Sequence, residues 1–423
     1  MSEYPNNFLW GAATSAFQSE GHIKNDMLEW EKKGHFRKNG KDPVYGNASD
    51  HWHHWREDFD LLAEYGLNAY RFSVEWARIV PEPGKIDEKA LDQYKQMVDY
   101  LLKKNITPML TFHHFTHPSW FHEISPWHTN EALVQFTFFV DAVMQKLGKY
   151  VDFYITLNEP LVWALAAYGD GVFPPGKKDL NLMMQVVYNL LLAHKSAYSI
   201  VKKYNPKARV GIAKNIIFFQ AKNRMNPVSV LLKSFVEHFF NDMLFKAFGR
   251  NKLEINLPFF LTFNQKIDLK DSIDFWGINY YYRMFIRCKL DKHLPFEMFF
   301  ENKSGFGLSD MGWEIYPPGL TYALKKAAAS GKEIYITENG IATDNDNKRE
   351  KYLELHLEQI QKVINNGLNL KGYFYWSLLD NYEWIEGTNA RFGLIEVDYA
   401  QKFARKAKPS LQFFSNYIKK FKK

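Results

Sequence analysis

Two kinds of stretch alternate along this chain, each with its own hydrophobic period. Residues 9–18, 69–74, 107–114, 153–157, 209–213, 275–281, 334–337 and 372–378 are short apolar runs rich in β-branched and aromatic residues. Such runs predict strands buried on both faces, as in a parallel sheet. After them, residues 52–65, 88–103, 131–147, 182–203, 228–248, 319–329, 350–364 and 410–420 repeat apolar residues at helical spacing. Eight strand–helix pairs, with no linker rich in Pro, Gly or Ser, predict an α/β fold: a (β/α)8 TIM barrel forming one domain over residues 1–423. The segment 218–265 is unusually apolar and reads either as a wall of the site or as packing of the fifth helix.

In such a barrel the chemistry gathers at the carboxyl ends of the strands. Those ends read Gln18-Ser19-Glu20-Gly21, Arg71, His113-His114, Asn158-Glu159, Asn279-Tyr280-Tyr281, Glu338-Asn339 and Trp376. They are polar, charged or aromatic although the runs before them are apolar, a contrast the scaffold does not require. Two runs, Ile155-Thr156-Leu157-Asn158-Glu159-Pro160 and Tyr335-Ile336-Thr337-Glu338-Asn339-Gly340, stop at a carboxylate. Either Glu alone reads equally as a cap on the following helix. Two meeting across one cavity form the pair that glycoside hydrolysis uses, one as acid and base and the other as nucleophile.

Composition adds modestly to this. Aromatics reach 17%, with 12 Trp, 24 Tyr and 35 Phe, and flat rings suit the C–H faces of sugars, although most Phe reads as core. The net charge of +7 is spread along the chain without an Arg-rich arm, so no nucleic-acid partner is expected. Cys288 is the sole cysteine, so no intramolecular disulfide forms. The first residues lack a basic start with an apolar core, and no uncharged apolar run reaches the ~18–20 residues of a membrane span. A cytoplasmic protein is expected. Leu411, Phe414, Tyr417, Ile418 and Phe421 recur at helical spacing beside Lys419, Lys420, Lys422 and Lys423. They read as a last barrel helix with a basic tip, or as a helix with weak affinity for anionic lipid, that is, peripheral membrane association. The histidines at 51, 53 and 54 and at 113, 114, 117, 122 and 128 show no metal-ligand spacing, so no metal or other cofactor is expected.

Several strings carry a more specific signal. They are Phe8-Leu9-Trp10-Gly11-Ala12-Ala13-Thr14-Ser15-Ala16-Phe17-Gln18, Tyr70-Arg71-Phe72-Ser73, Thr156-Leu157-Asn158-Glu159-Pro160 and Gly277-Ile278-Asn279-Tyr280-Tyr281. Ile336-Thr337-Glu338-Asn339-Gly340, the run from Tyr375 through Trp376 to Glu383-Trp384, and Arg391-Phe392-Gly393-Leu394 complete the set. With them in this order, the chain resembles family 1 glycoside hydrolases of the β-glucosidase and β-galactosidase type over nearly its whole length. The resemblance implies a retaining β-glycosidase acting on a terminal, nonreducing sugar without a cofactor, with Glu159 as acid/base and Glu338 as nucleophile. It implies that Arg71 and Tyr281 contact the nucleophile. Of three consecutive tyrosines, strand alternation sends only one face inward. It further implies that Gln18, His114, Asn158, Asn279, Glu383 and Trp384 bind substrate and that Trp376 is a stacking floor, although a single Trp also reads as core. Two departures stand out: His113-His114-Phe115 where Tyr-His-Trp is common, and Glu396 where Tyr is frequent. Glucose is the first expectation, with galactose, fucose and mannose open, since Gln18 and Glu383 serve either C4 configuration. A 6-phospho-β-glycosidase is disfavoured because Glu383 would repel the phosphate. A non-catalytic carbohydrate-binding protein has no need of both carboxylates. Oligomeric state is left open.

Overall fold

Eight parallel strands pair edge to edge and return on themselves. They are β1 (Leu9–Ala13), β2 (Ala69–Ser73), β3 (Thr107–His113), β4 (Phe153–Asn158), β5 (Arg209–Asn215), β6 (Phe275–Asn279), β7 (Glu333–Asn339) and β8 (Leu370–Trp376). Their order is β1-β8-β7-β6-β5-β4-β3-β2, closed. The ring joins where β1 pairs on both sides, Leu9 with Gly372 and Gly11 with Ala69. This computed structural model describes residues 4–36, 44–257, 260–289 and 295–421.

Alternation along the strands builds two apolar layers. Tyr70, Phe72, Leu110, Tyr154, Ile212, Ile334 and Ile336 belong to the core shared with the surrounding helices. Ala69, Met109, Ile155, Ala213, Phe275, Tyr335 and Phe374 pack together as a second core filling the barrel, large beside small. Side-chain caps start the helices where the sequence provides them. The Asp87 carboxylate accepts from the N–H groups of Lys89 and Ala90 to start Glu88–Lys103. Asp179 does the same for Leu180–Tyr204, and Asn345 for Asp346–Asn365.

Two segments differ from the sequence reading, and a third follows one of its two alternatives. The run 9–18 is not one strand: β1 ends at Ala13, and Gln18 lies on the short helix Ala16–Glu20. The Ser73 hydroxyl accepts from the Ala16 N–H there, where a ladder partner would otherwise be needed. The stretch 228–248 is not one helix either. It runs as Pro227–Glu237, a five-residue π turn at His238–Asp242, and Met243–Arg250. Around it, Phe218–Ala221 joins Arg283–Cys288 and Phe296–Phe299 in a small sheet, while Lys252–Leu257 and Leu261–Lys266 form a hairpin. Finally, the apolar face of Pro409–Phe421 is not free for lipid: Leu411, Phe414 and Ile418 are buried. The Phe414 ring meets Trp10 of β1 and Tyr373 of β8, and Tyr417 meets Tyr4. Only Lys419 and Lys420 remain as an exposed basic tip; Lys422 and Lys423 lie outside the described residues. No helix of the described residues is long and apolar enough to cross a membrane. Phe414→Ala should cost about 3–5 kcal/mol of stability, as for other buried Phe truncations, read as a lower midpoint in urea. An unchanged midpoint would mean that this helix is not packed on the barrel.

Candidate active site

Two carboxylates enter the barrel mouth from opposite sides, each displaced from plain strand geometry. Along β7, Ile334 and Ile336 face the helices and Tyr335 the interior, so strict alternation would send residue 338 outward. The pairing of β7 with β6 shifts register between Ile336 and Glu338, and its pairing with β8 shifts between Ile336 and Asn339. An irregularity of this kind re-aims a side chain, and here it turns Glu338 into the cavity. Its Oε1 accepts from Arg71 Nη1 at 2.6 Å and its Oε2 from Tyr281 Oη at 2.6 Å. A fully buried guanidinium thus matches the charge of Glu338. Gly340 follows because the backbones nearly touch: a Cβ there would lie 1.8 Å from the Trp376 carbonyl oxygen.

Glu159 is held differently. The β4–β5 pairing shifts between Ile155 and Asn158, and Glu159 itself adopts φ +44°, a left-handed conformation that few non-glycine residues take. Its N–H donates to the Ala213 carbonyl at 2.7 Å. Its carboxyl receives amide hydrogens only, from Asn279 Nδ2 at 2.8 Å and Asn215 Nδ2 at 3.4 Å. Burial, and then the negative charge of Glu338, push it up to about 8. At neutral pH it therefore carries a proton, which it can give away.

A cavity of about 450 Å³ separates the two, a size that suits a sugar with part of its aglycone. Gln18, His114, Asn158, Trp376, Glu383 and Trp384 line it. Gln18 Nε2 donates to Glu383 Oε2 at 3.0 Å, and the Ser15 hydroxyl donates to Gln18 Oε1 at 2.8 Å. Burial, then Glu338, also push Glu383 up to about 8. His114 stacks on Trp376 with centroids 5.7 Å apart, and burial with the Arg71 charge holds it well below the usual imidazole range, hence neutral. Trp384 is fixed at the rim by stacking on Phe17 at 5.8 Å.

Asn279 lies behind the residues that line this cavity. It is fully buried, and its amide is committed to Glu159 and Asn158 while its Oδ1 accepts from the Thr337 hydroxyl at 2.6 Å. Its amide orients the Glu159 carboxyl group. Arg71 likewise stands behind the cavity wall, its second nitrogen donating to Asn158 Oδ1 at 2.6 Å. Among the consecutive tyrosines, Tyr280 turns away to the Tyr316 carbonyl and Tyr281 turns inward, while Tyr282 also borders the cavity. Phe115 packs against Trp384 and Phe173 and completes the wall. Glu396 faces Lys406 on a hairpin instead.

Asn215 and the mouth were not foreseen. Asn215 ends β5 in the same way that Asn158 ends β4, but the strand reads two residues short in the sequence. Val172, Phe173, Met311 and Trp313 from loops and Ile385 from the 3-10 turn Trp384–Glu386 give the mouth apolar walls, all in segments too short or irregular to show periodicity. Among the histidines, His117 and His122 converge on Asp26, which accepts from His117 Nδ1 at 2.9 Å and His122 Nε2 at 2.8 Å. Asp26 also accepts from two backbone N–H groups, so the cluster pins the helix Asp26–Lys32 to the loop after β3.

A model of glycosyl hydrolase family 1 matches residues 1–423. A 1,4-beta-D-glucan glucohydrolase of Thermotoga neapolitana is 36% identical over 99% of this chain and 99% of its own. A beta-glycosidase from Pyrococcus horikoshii superposes with a TM-score of 0.90 at 35% identity, covering 100% of this chain and 99% of that one. A beta-glucosidase from Thermotoga maritima in complex with deoxynojirimycin gives 0.89 at 31% identity, covering 100% and 99%.

Proposed function

The chain belongs to glycosyl hydrolase family 1 and is an O-glycosyl hydrolase of the β-glucosidase type, and on that premise we propose how its own residues work. Glu338 is the nucleophile and Glu159 the acid/base of a double displacement that removes a terminal, nonreducing β-glucosyl group. The observation that carries this reading is the unequal treatment of the two carboxyls. Glu338 accepts from a guanidinium and a phenol, whereas Glu159 accepts from two amides and holds its proton to about 8.

In the first half, a Glu338 oxygen bonds to the anomeric carbon as the bond to the aglycone oxygen breaks, and the Glu159 proton passes to that oxygen. In the second, the Glu159 carboxylate takes a proton from water, whose oxygen displaces Glu338 and restores the β configuration. Gln18, His114, Asn158, Glu383 and Trp384 hold the sugar hydroxyls, and Trp376 supports the ring face. Gln18 and Glu383 each offer donor and acceptor, which supports side activity on galactosides, fucosides and mannosides. The apolar mouth supports apolar aglycones. Residues 1–423 act as one domain, and the scheme requires no cofactor. A cytoplasmic location is supported by the lone exposed thiol of Cys288.

An activated 2-deoxy-2-fluoro-β-glucoside tests the assignment, because it forms the glycosyl-enzyme quickly and releases it slowly. The peptide carrying Glu338 should gain the fluorosugar mass. A label on Glu159, or steady turnover with no label, would remove Glu338 from the nucleophile's place.

A further inference from the structure

The strand next to Glu159 carries an amine in its core. Lys214, between Ala213 and Asn215 on β5, is 2% exposed. A buried ammonium ordinarily rests on a carboxylate. Among the described residues Lys214 forms no ion pair; its Nζ donates to the carbonyls of Asn215 at 3.0 Å and Phe240 at 2.5 Å. The Phe240 carbonyl belongs to the π turn His238–Asp242, so the amine ties that turn to the end of β5.

Both chain neighbours of Lys214 are bonded to Glu159. The Ala213 carbonyl accepts the Glu159 N–H, and the Asn215 amide donates to the Glu159 carboxyl. Lys214, Asn215, Phe240 and Glu159 also line one small void of about 10 Å³, so the two residues border the same space. The charges facing Lys214 are Asp242 from the π turn, Lys326 from the helix Pro318–Ala328, and Glu159. Lys326 is itself paired with Asp242 and Glu237. Glu159 is faced in addition by Glu338, Arg71, Tyr281 and Tyr282.

We propose that Lys214 is a positioning residue for the second half of the reaction, its ammonium favouring the ionised Glu159 that must take a proton from water. This rests on Glu159 being the acid/base. Once Glu338 is esterified its charge is gone, and with it the second cause that raises Glu159. Burial pushes the amine down to about 7, so it carries its charge below that pH. An opposite charge favours ionisation, so removing it raises the pH at which Glu159 becomes a base.

The test uses 2,4-dinitrophenyl β-glucoside, whose leaving group needs no acid, so that kcat follows breakdown of the glycosyl-enzyme. Lys214→Met and Lys214→Gln should each move the acid limb of kcat upward by about half a pH unit, because an opposite charge favours the ionised carboxyl. Whichever of the two folds decides the matter. A limb that stays in place, or a kcat lowered equally at every pH, overturns the proposal and leaves Lys214 a packing residue. Glu159→Ala on the same substrate separates the two readings. If it abolishes the limb while the Lys214 variants leave it in place, only the role of Lys214 falls. If it leaves the limb intact, the acid/base assignment falls first.

Discussion

Glu338→Ala is expected to slow turnover of an aryl β-glucoside by about 10⁴–10⁶-fold, the range seen when an enzyme loses its nucleophile. The fold should survive, because Arg71 keeps the Thr337 carbonyl at 3.0 Å and Asn158 Oδ1 at 2.6 Å after its carboxylate partner is gone. Some stability is lost with the pair, since a buried cation without its partner costs about 3–5 kcal/mol before such hydrogen bonds are counted. Azide fits the space left by the carboxylate and attacks the anomeric carbon from the same side. Added azide should therefore restore turnover and give the inverted α-glucosyl azide, read by proton NMR. Undiminished turnover by the variant would end the double-displacement scheme for this residue.

The second large effect depends on the leaving group. Glu159→Ala should cost about 10²–10⁴-fold in kcat/KM on an alkyl β-glucoside, whose departing oxygen needs a proton, and far less on 2,4-dinitrophenyl β-glucoside. Azide should now give the retained β-glucosyl azide, because the vacated side is the one from which water attacks. The pH dependence follows from the raised value. A carboxyl held up to about 8 is protonated below that pH, and the acid is lost as pH rises through it. Wild-type kcat/KM should thus fall on the alkaline side near 8, where Glu383 titrates as well. The variant shows what fall remains when Glu159 no longer contributes. Equal losses on alkyl and dinitrophenyl substrates would exclude an acid role.

The eight apolar runs and their helices were legible because a strand buried on both faces has a composition that few other elements share. Glu159 and Glu338 were legible for a related reason, as charged residues at the ends of apolar strands. The hidden features depend on geometry at the scale of one residue. Period-two alternation cannot show that β7 slips register before Glu338, nor that Glu159 takes a left-handed conformation. The strand-end position of Asn279 is legible in the sequence, but that its amide meets Thr337, Asn158 and Glu159 is visible only in the structure. The short helix carrying Gln18 was read as strand because five residues directly after β1 are too few to show a helical period. The apolar stripe of Pro409–Phe421 is the same whether it meets lipid or barrel; Trp10 and Tyr373 decide it, and they lie far away in the chain.

The site is divided across the ring in a reciprocal way. Arg71 from β2 holds Glu338 on β7, while Asn279 from β6 holds Glu159 after β4. The first four strands thus supply Glu159 and the clamp on Glu338, and the last four supply Glu338 and the clamp on Glu159. Neither half of the chain contains a working fragment, and a half-formed barrel leaves Arg71 and Glu338 each exposed to water without its counterpart. Regain of turnover during refolding is therefore a clock for closure of both seams, β4 to β5 and β8 to β1, whereas recovery of helical signal reports only that the pieces have formed.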